Sequence, residues 1–175
     1  YGDWSSDVCS SDLDPLVPLV IPEVNADHLR LLSQQRAAYG WTGAIVTNTN
    51  CATVVLAMAL APLRTFGIAR VSVTTMQAVS GAGYPGVPSI DILGNVIPYI
   101  GGGEEEKIET ETLKILGSDG GRAPLAAAVS AQVNRVPVSD GHLMTVSVDL
   151  TSRPAVDAVV SAMRAFRGQP QDLKL

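Results

Sequence analysis

Residues 43–63 read GAIVTNTNCATVVLAMALAPL, and this stretch decides the fold. Its first six residues are a short apolar run of strand character. Asn48-Thr49-Asn50 then turns the chain, and from Cys51 to residue 66 the pattern is that of a helix, apolar nearly all round at Val54, Val55, Leu56, Met58, Leu60 and Leu63. Such a helix belongs deep inside a protein. Pro62 is placed to kink it and Gly67 to end it.

Upstream, residues 16–21 (LVPLVI) form another short apolar run, and Asn25-Ala26-Asp27 offer caps for a helix through Leu29 and Leu32 to Arg36. Downstream, residues 68–77 (IARVSVTTMQ) alternate as a strand. A Gly/Pro-rich loop (80–88) and irregular packing surface (90–100) follow. Gly101-Gly102-Gly103 precede a helix over 104–116, acidic in its first turn and carrying Lys114 in its last, which complements the helix dipole. Residues 125–138 and 142–150 read as two strands joined in a hairpin by Ser139-Asp140-Gly141. A last helix is expected from about Pro154, capped by Ser152, to Arg167, and the chain then stops in a loop. Strand-helix-strand followed by a strand-rich stretch predicts an α+β fold preceded by the tail of a parallel α/β domain.

Residues 1–13 (YGDWSSDVCSSDL) carry no apolar period and no signal-peptide pattern. They resemble the translation of a sequencing adapter, so this stretch is expected to be a non-native tail that packs on nothing, and the chain an internal piece of a longer reading frame. The 175 residues are 46% hydrophobic and 17% charged, which excludes disorder. The net charge of −5 falls to −2 once Asp3, Asp7 and Asp12 are set aside, leaving no footprint of nucleic-acid binding. The longest uncharged apolar stretch, 51–63, is too short to span a bilayer. With Cys9 in the tail, Cys51 is the one native cysteine, so neither an intrachain disulfide nor a cysteine-built metal site is expected.

Cys51 opens a buried helix, where free N–H groups and the positive dipole end favour a thiolate. A space-filling buried cysteine fits its position equally well. Arg135 and His142 flank one turn and could supply a carboxylate clamp and a base; alone, each reads as readily as a surface charge and a strand-end histidine. Ser80-Gly81-Ala82-Gly83 would let a ligand approach backbone closely but is no dinucleotide fingerprint. Glu104-Glu105-Glu106-Lys107 reads by itself as a solvated helix start.

Three strings, TNTNCATVVLAMALAPL (47–63), VSVTTMQAVSGAGYPGVPSIDILGNVIPYIGGGEEEKIETETLKIL (71–116) and NRVPVSDGH (134–142), together resemble the aspartate-semialdehyde dehydrogenase family, in particular its branch from archaea, fungi and some bacteria. The resemblance covers residues 14–175. It implies that 14–50 end an NADP-binding Rossmann domain. Residues 51–175 would then belong to a catalytic and dimerisation domain like that of glyceraldehyde-3-phosphate dehydrogenase.

It further implies that Cys51 is the nucleophile and His142 the acid/base, and that Gln77 and Arg135 bind substrate, Arg135 through the α-carboxylate. Glu104 would hold the substrate amino group, Lys107 would contact phosphate, and Asn50 would support the oxyanion. Ser80, Gly81, Ala82 and Gly83 would meet the nicotinamide end of NADP. The implied reaction is reductive dephosphorylation of L-4-aspartyl phosphate through a cysteine thioester, without a metal. It would serve lysine, threonine, methionine and isoleucine synthesis in a cytoplasmic homodimer or homotetramer, with neither nucleic acid nor membrane as a partner. Lacking the glycine-rich first turn of the cofactor domain, the chain alone is expected to be inactive. Malonyl-CoA reductase, N-acetyl-glutamyl-phosphate reductase and a non-catalytic dimerisation module are the rival readings. Two departures from the family pattern are Thr49, where proline is familiar, and Ala52, where serine is. Thr49 is expected to loosen the turn that aims the thiol.

Overall fold

The computed structural model describes residues 14–175. The tail at 1–13, with Trp4 and Cys9, lies outside the described residues.

A four-stranded sheet organises the chain. Its strands are β1 (Ile68–Gln77), β2 (Ile97–Pro98), β3 (Ala128–Arg135) and β4 (His142–Leu150), in the spatial order β2-β3-β1-β4. β1 has the bounds its alternation predicts. It turns Val71, Val73, Thr75 and Gln77 inward, and its other face carries Arg70, Ser72, Thr74 and Met76. The inward face is covered by two helices, α2 (Cys51–Leu60) and α3 (Glu104–Ile115), the helix α1 (Leu31–Tyr39) lying earlier in the chain. Leu56, Leu60, Ile108 and Leu116 pack there on Val71, Val73, Ala131 and Val133. On the far side of α2 and α3, Leu19 and Ile21 meet Ala57 and Ile115. The two helices are therefore a middle layer between the sheet and the segment before residue 50. A last helix, α4 (Val156–Ala165), lays Val159 against the core next to Phe166.

The pairing differs from the hairpin expected of residues 125–150. β1 lies between β3 and β4, parallel to the first from Arg70↔Ala128 to Gln77↔Arg135 and antiparallel to the second from Val71↔Val148 to Gln77↔His142. Residues 136–138, expected to continue a strand, instead cross the end of β1. Val136 N–H donates to the Gln77 carbonyl, and Val79 and Ser80 N–H donate to the carbonyls of Val138 and Ser139. With strands about 4.8 Å apart, a six-residue connection spans two spacings, whereas Ser-Asp-Gly alone reads as a tight turn. β3 ends and β4 begins at the same end of the sheet, on opposite sides of Gln77.

Other expectations shift for local reasons. The strands expected at 16–21 and 43–48 reduce to one bridge, Leu19↔Thr47. Pro18 has no N–H to give, and the Gln35 amide takes the hydrogen bonds of Leu16 and Ile45 instead. The helix expected from Asn25 begins as a 3-10 turn over Ala26–Arg30 and ends at Gly40, φ 66°. α2 gives way to a 3-10 segment, Ala61–Phe66, at Pro62. Ser152 caps no helix; its hydroxyl donates to the Phe66 carbonyl at 2.7 Å, and α4 starts after Ala155. The final residues form a helical turn, Gln169–Asp172.

The acidic start of α3 is tied into the fold rather than solvated. Glu105 accepts from Val133 N–H and Glu109 from Ala131 N–H, both at 2.9 Å. They close the edge of β3 where the two-residue β2 does not reach. Among the described residues, no helix is long and apolar enough to cross a membrane.

Candidate active site

Asn50 caps α2: its Oδ1 accepts from Ala52 N–H at 2.9 Å and Thr53 N–H at 3.3 Å. Cys51 is thereby the first helical residue, and its side chain is accessible to solvent. Its Sγ lies 3.2 Å from His142 Nε2. Partial burial of the sulfur, then the negative charge of Glu104, push the thiol above its ordinary pKa, with the helix-end N–H groups and Arg135 opposing. Burial and the Glu104 charge thus both work against the thiolate.

The Ala78 N–H donates to His142 Nδ1 at 3.3 Å, which makes Nδ1 the acceptor and puts the ring hydrogen of the neutral imidazole on Nε2, facing sulfur. The Ala78 carbonyl accepts from Arg135 Nη1 at 2.8 Å. The backbone of one residue thus orients both the imidazole and the guanidinium.

The register aligns Arg135, Gln77 and His142 across three adjacent strands, all on the inward face. Arg135 is buried, and among the described residues no carboxylate lies within ion-pair distance of it. A buried guanidinium without a carboxylate is prepared for an anion from outside. Gln77 is 1% exposed, and its amide nitrogen has no hydrogen-bond partner, so it is a donor awaiting an acceptor. Glu104 accepts from Asn50 Nδ2 at 2.9 Å. Glu104 and Arg135 both line a cleft of about 350 Å³ with Gly81, Ala82 and the Gly101-Gly102 bend.

The 3-10 turn Val79–Ala82 passes over these groups. A Cβ at Gly81 would sit 2.9 Å from Arg135 Nη1 and 3.1 Å from His142 Cε1, so only glycine lets the backbone come this close. Ser80 and Gly83 face solvent.

The structure thus gathers Cys51, His142, Gln77, Arg135, Asn50, Glu104 and Gly81 at one end of the sheet. Lys107, three residues beyond Glu104 on α3, is half-buried and does not line the cleft. Sequence reasoning missed two contributors. Ala78 acts through its backbone alone and leaves no side-chain signal. Glu111, seven residues after Glu104 and so on the same face of α3, accepts from the Thr49 hydroxyl at 2.5 Å and Asn50 N–H at 2.9 Å. The turn expected to be loosened by Thr49 is thereby fastened.

The model of the semialdehyde dehydrogenase dimerisation domain matches residues 60–173. The aspartate-semialdehyde dehydrogenase of Methanothermobacter thermautotrophicus is 51% identical over 174 residues, 98% of this chain and 50% of that protein. That of Schizosaccharomyces pombe is 49% identical over 168 residues, 91% of this chain and 47% of that protein. The crystal structure of aspartate semialdehyde dehydrogenase with NADP from Candida albicans superposes with a TM-score of 0.80 at 38% identity, covering 94% of this chain and 49% of that one. Aspartate semialdehyde dehydrogenase II complexed with ASA from Vibrio cholerae gives a TM-score of 0.72 at 28% identity, over 89% and 50%. The chain spans about half the length of the curated relatives it matches.

Proposed function

The chain belongs to the semialdehyde dehydrogenase family, and we propose from that premise that its full-length protein reduces L-4-aspartyl phosphate to L-aspartate 4-semialdehyde. The observation that carries this reading is the Cys51–His142 contact at 3.2 Å, at the end of the sheet that also holds a cleft glutamate and a buried arginine without a carboxylate partner among the described residues. Residues 14–50 are then the end of the cofactor domain, and residues 51–175 the catalytic and dimerisation domain of a cytoplasmic homodimer or homotetramer. The reaction would feed lysine, threonine, methionine and isoleucine synthesis.

The roles follow from position. Arg135 pairs with the substrate α-carboxylate, and Glu104, which lines the same cleft, with the ammonium group. Gln77 Nε2, which has no hydrogen-bond partner among the described residues, donates to a substrate oxygen. Substrate ammonium beside Glu104 offsets the charge that disfavours the thiolate. The Cys51 thiol gives its proton to the phosphate group of the substrate, the thiolate attacks the acyl carbon, the C–O bond breaks so that hydrogen phosphate leaves, and a thioester forms. His142 Nε2–H faces the sulfur and steadies its negative charge before attack and again when the thiolate is released. Asn50 Nδ2 lies on the same side and supports the oxyanion, and Lys107 serves the departing phosphate.

The Ser80–Gly83 backbone fits a flat cofactor ring, because it is solvent-facing and carries nothing larger than a hydroxymethyl. NADPH, when bound, supplies the hydride that converts the thioester to the aldehyde. The Candida albicans structure contains NADP and the Vibrio cholerae structure contains ASA, and both support the assignment. Glu104 and Arg135, of opposite charge on one cleft, favour an amino acid over malonyl-CoA.

The test uses the full-length enzyme. Cys51→Ala is expected to abolish turnover while leaving the circular dichroism spectrum intact, since alanine suits the first turn of a helix. The parent should turn over aspartyl phosphate and not malonyl-CoA, and should yield a thioacyl adduct on Cys51 by mass spectrometry when hydride is withheld. Turnover by the alanine variant would overturn the assignment.

A further inference from the structure

Glu111 is a buried carboxylate, 2% exposed, and among the described residues no cation lies within ion-pair distance of it. Burying an ionised carboxylate is costly unless its oxygens receive strong hydrogen bonds. Both bonds recorded for it go to one place. Oε2 accepts from the Thr49 hydroxyl at 2.5 Å and from the Asn50 N–H at 2.9 Å.

Asn50 is thereby held at every polar group it turns inward. Its N–H goes to Glu111, its Nδ2 to Glu104 and its Oδ1 to the first N–H groups of α2. The two glutamates lie seven residues apart, two turns along one face of α3, so a single rigid helix holds this turn from below. Cys51 follows directly, and its Sγ has to stay within reach of His142 on another element.

We infer that Glu111 is a positioning residue. Through the Thr49 hydroxyl and the Asn50 N–H, it fixes the strand-to-helix turn that aims the Cys51 thiol and the Asn50 amide. Thr49 and Glu111 act as a unit, and the hydroxyl–carboxylate bond gives this turn the stiffness that a proline would give through its ring. The inference rests on Cys51 being the nucleophile.

The test is made in the full-length enzyme with Thr49→Val, which keeps the shape and removes the hydroxyl, and Thr49→Ser, which restores it. Glu111→Gln and the double variant Thr49→Val/Glu111→Gln complete a cycle. Each is measured for kcat and KM, for NADPH affinity, for melting temperature and for the rate of Cys51 alkylation by iodoacetamide across pH. Thr49→Val is expected to lower kcat five- to twentyfold, with KM and NADPH affinity within twofold, and to displace the pH profile of alkylation. Thr49→Ser should recover kcat to within threefold of the parent. The double variant should be no slower than the worse single variant.

If Thr49→Val lowers the melting temperature while kcat and the alkylation profile stay at parental values, Glu111 serves only stability and the inference fails. Fully additive losses in the double variant would also sink it. Should Glu111→Gln not fold, the Thr49 pair decides alone. Activity surviving in Cys51→Ala would instead remove the premise, and that result is distinguishable because it does not depend on Thr49 or Glu111.

Discussion

Replacing Gly81 by alanine should disable the site through one methyl group. Gly81 does not have a positive φ, so alanine meets no backbone penalty there. The new Cβ would lie 2.9 Å from Arg135 Nη1, 3.1 Å from His142 Cε1 and 3.4 Å from His142 Nε2. Ordinary contact distances are about 3.5–4.0 Å, so guanidinium and imidazole must each retreat by roughly 0.5–1 Å. Neither move is free. Arg135 Nη1 is tied to the Ala78 carbonyl at 2.8 Å, and His142 stands 3.2 Å from sulfur. Displacement of a reacting group by about 1 Å costs up to ~100-fold in rate, or about 2.7 kcal/mol of barrier. In the full-length enzyme, kcat/KM for aspartyl phosphate should fall roughly 30- to 100-fold with little change in melting temperature. Gly83→Ala provides the contrast. With φ at 66° and nothing within 4 Å of its Cβ, it strains the backbone by about 1–2 kcal/mol but leaves Cys51 alkylation at the parental rate. A Gly81→Ala enzyme within threefold of the parent would refute the steric reasoning, and so would an equal loss of thiol reactivity in Gly83→Ala.

Three other outcomes follow from the same geometry. Because the Glu104 charge raises the thiol pKa, Glu104→Gln should speed iodoacetamide alkylation of the unliganded enzyme near pH 7.5 while slowing turnover; slower alkylation would contradict the charge argument. His28 is 1% exposed, and burial lowers its pKa below the 6.5 it has when unfolded, so the unfolded chain takes up the proton first. Stability should therefore be full above pH 6.5 and decline as pH falls below it, and His28→Gln should flatten that decline between pH 6.5 and 5 in urea melts. Leu56, wholly buried between α2 and the sheet, should cost about 2–5 kcal/mol when cut to alanine, read as a lowered urea midpoint.

The local signals were legible wherever one element sufficed. The alternation of residues 68–77 gives β1, and the acidic-to-basic run between glycines gives α3 with an end one residue short of Leu116. The strand order was not legible, because Ser139-Asp140-Gly141 carries turn chemistry whether the chain folds back on its neighbour or steps across it. Arg135, as readily a surface charge in sequence, is buried because the inward parity of Ala131 and Val133 continues to it. Cys51 and His142, 91 residues apart, were brought together in the sequence reading only by family resemblance. Glu111 and Ala78 stayed hidden. One has a partner more than sixty residues away and the other acts only through its backbone.

The insertion of β1 between β3 and β4 also sets the order in which competence can appear as the chain folds. Gln77 acquires Arg135 on one side and His142 on the other only after both long-range pairings are complete, and neither comes from a local hairpin. Sheets built from such distant contacts assemble slowly. A partly formed sheet, with β1 flanked on one side, would hold a clamp without a proton donor or a proton donor without a clamp. The fall in Cys51 reactivity toward iodoacetamide, as burial and Glu104 close on the sulfur during refolding, is thus a chemical clock for the assembly of this end of the sheet.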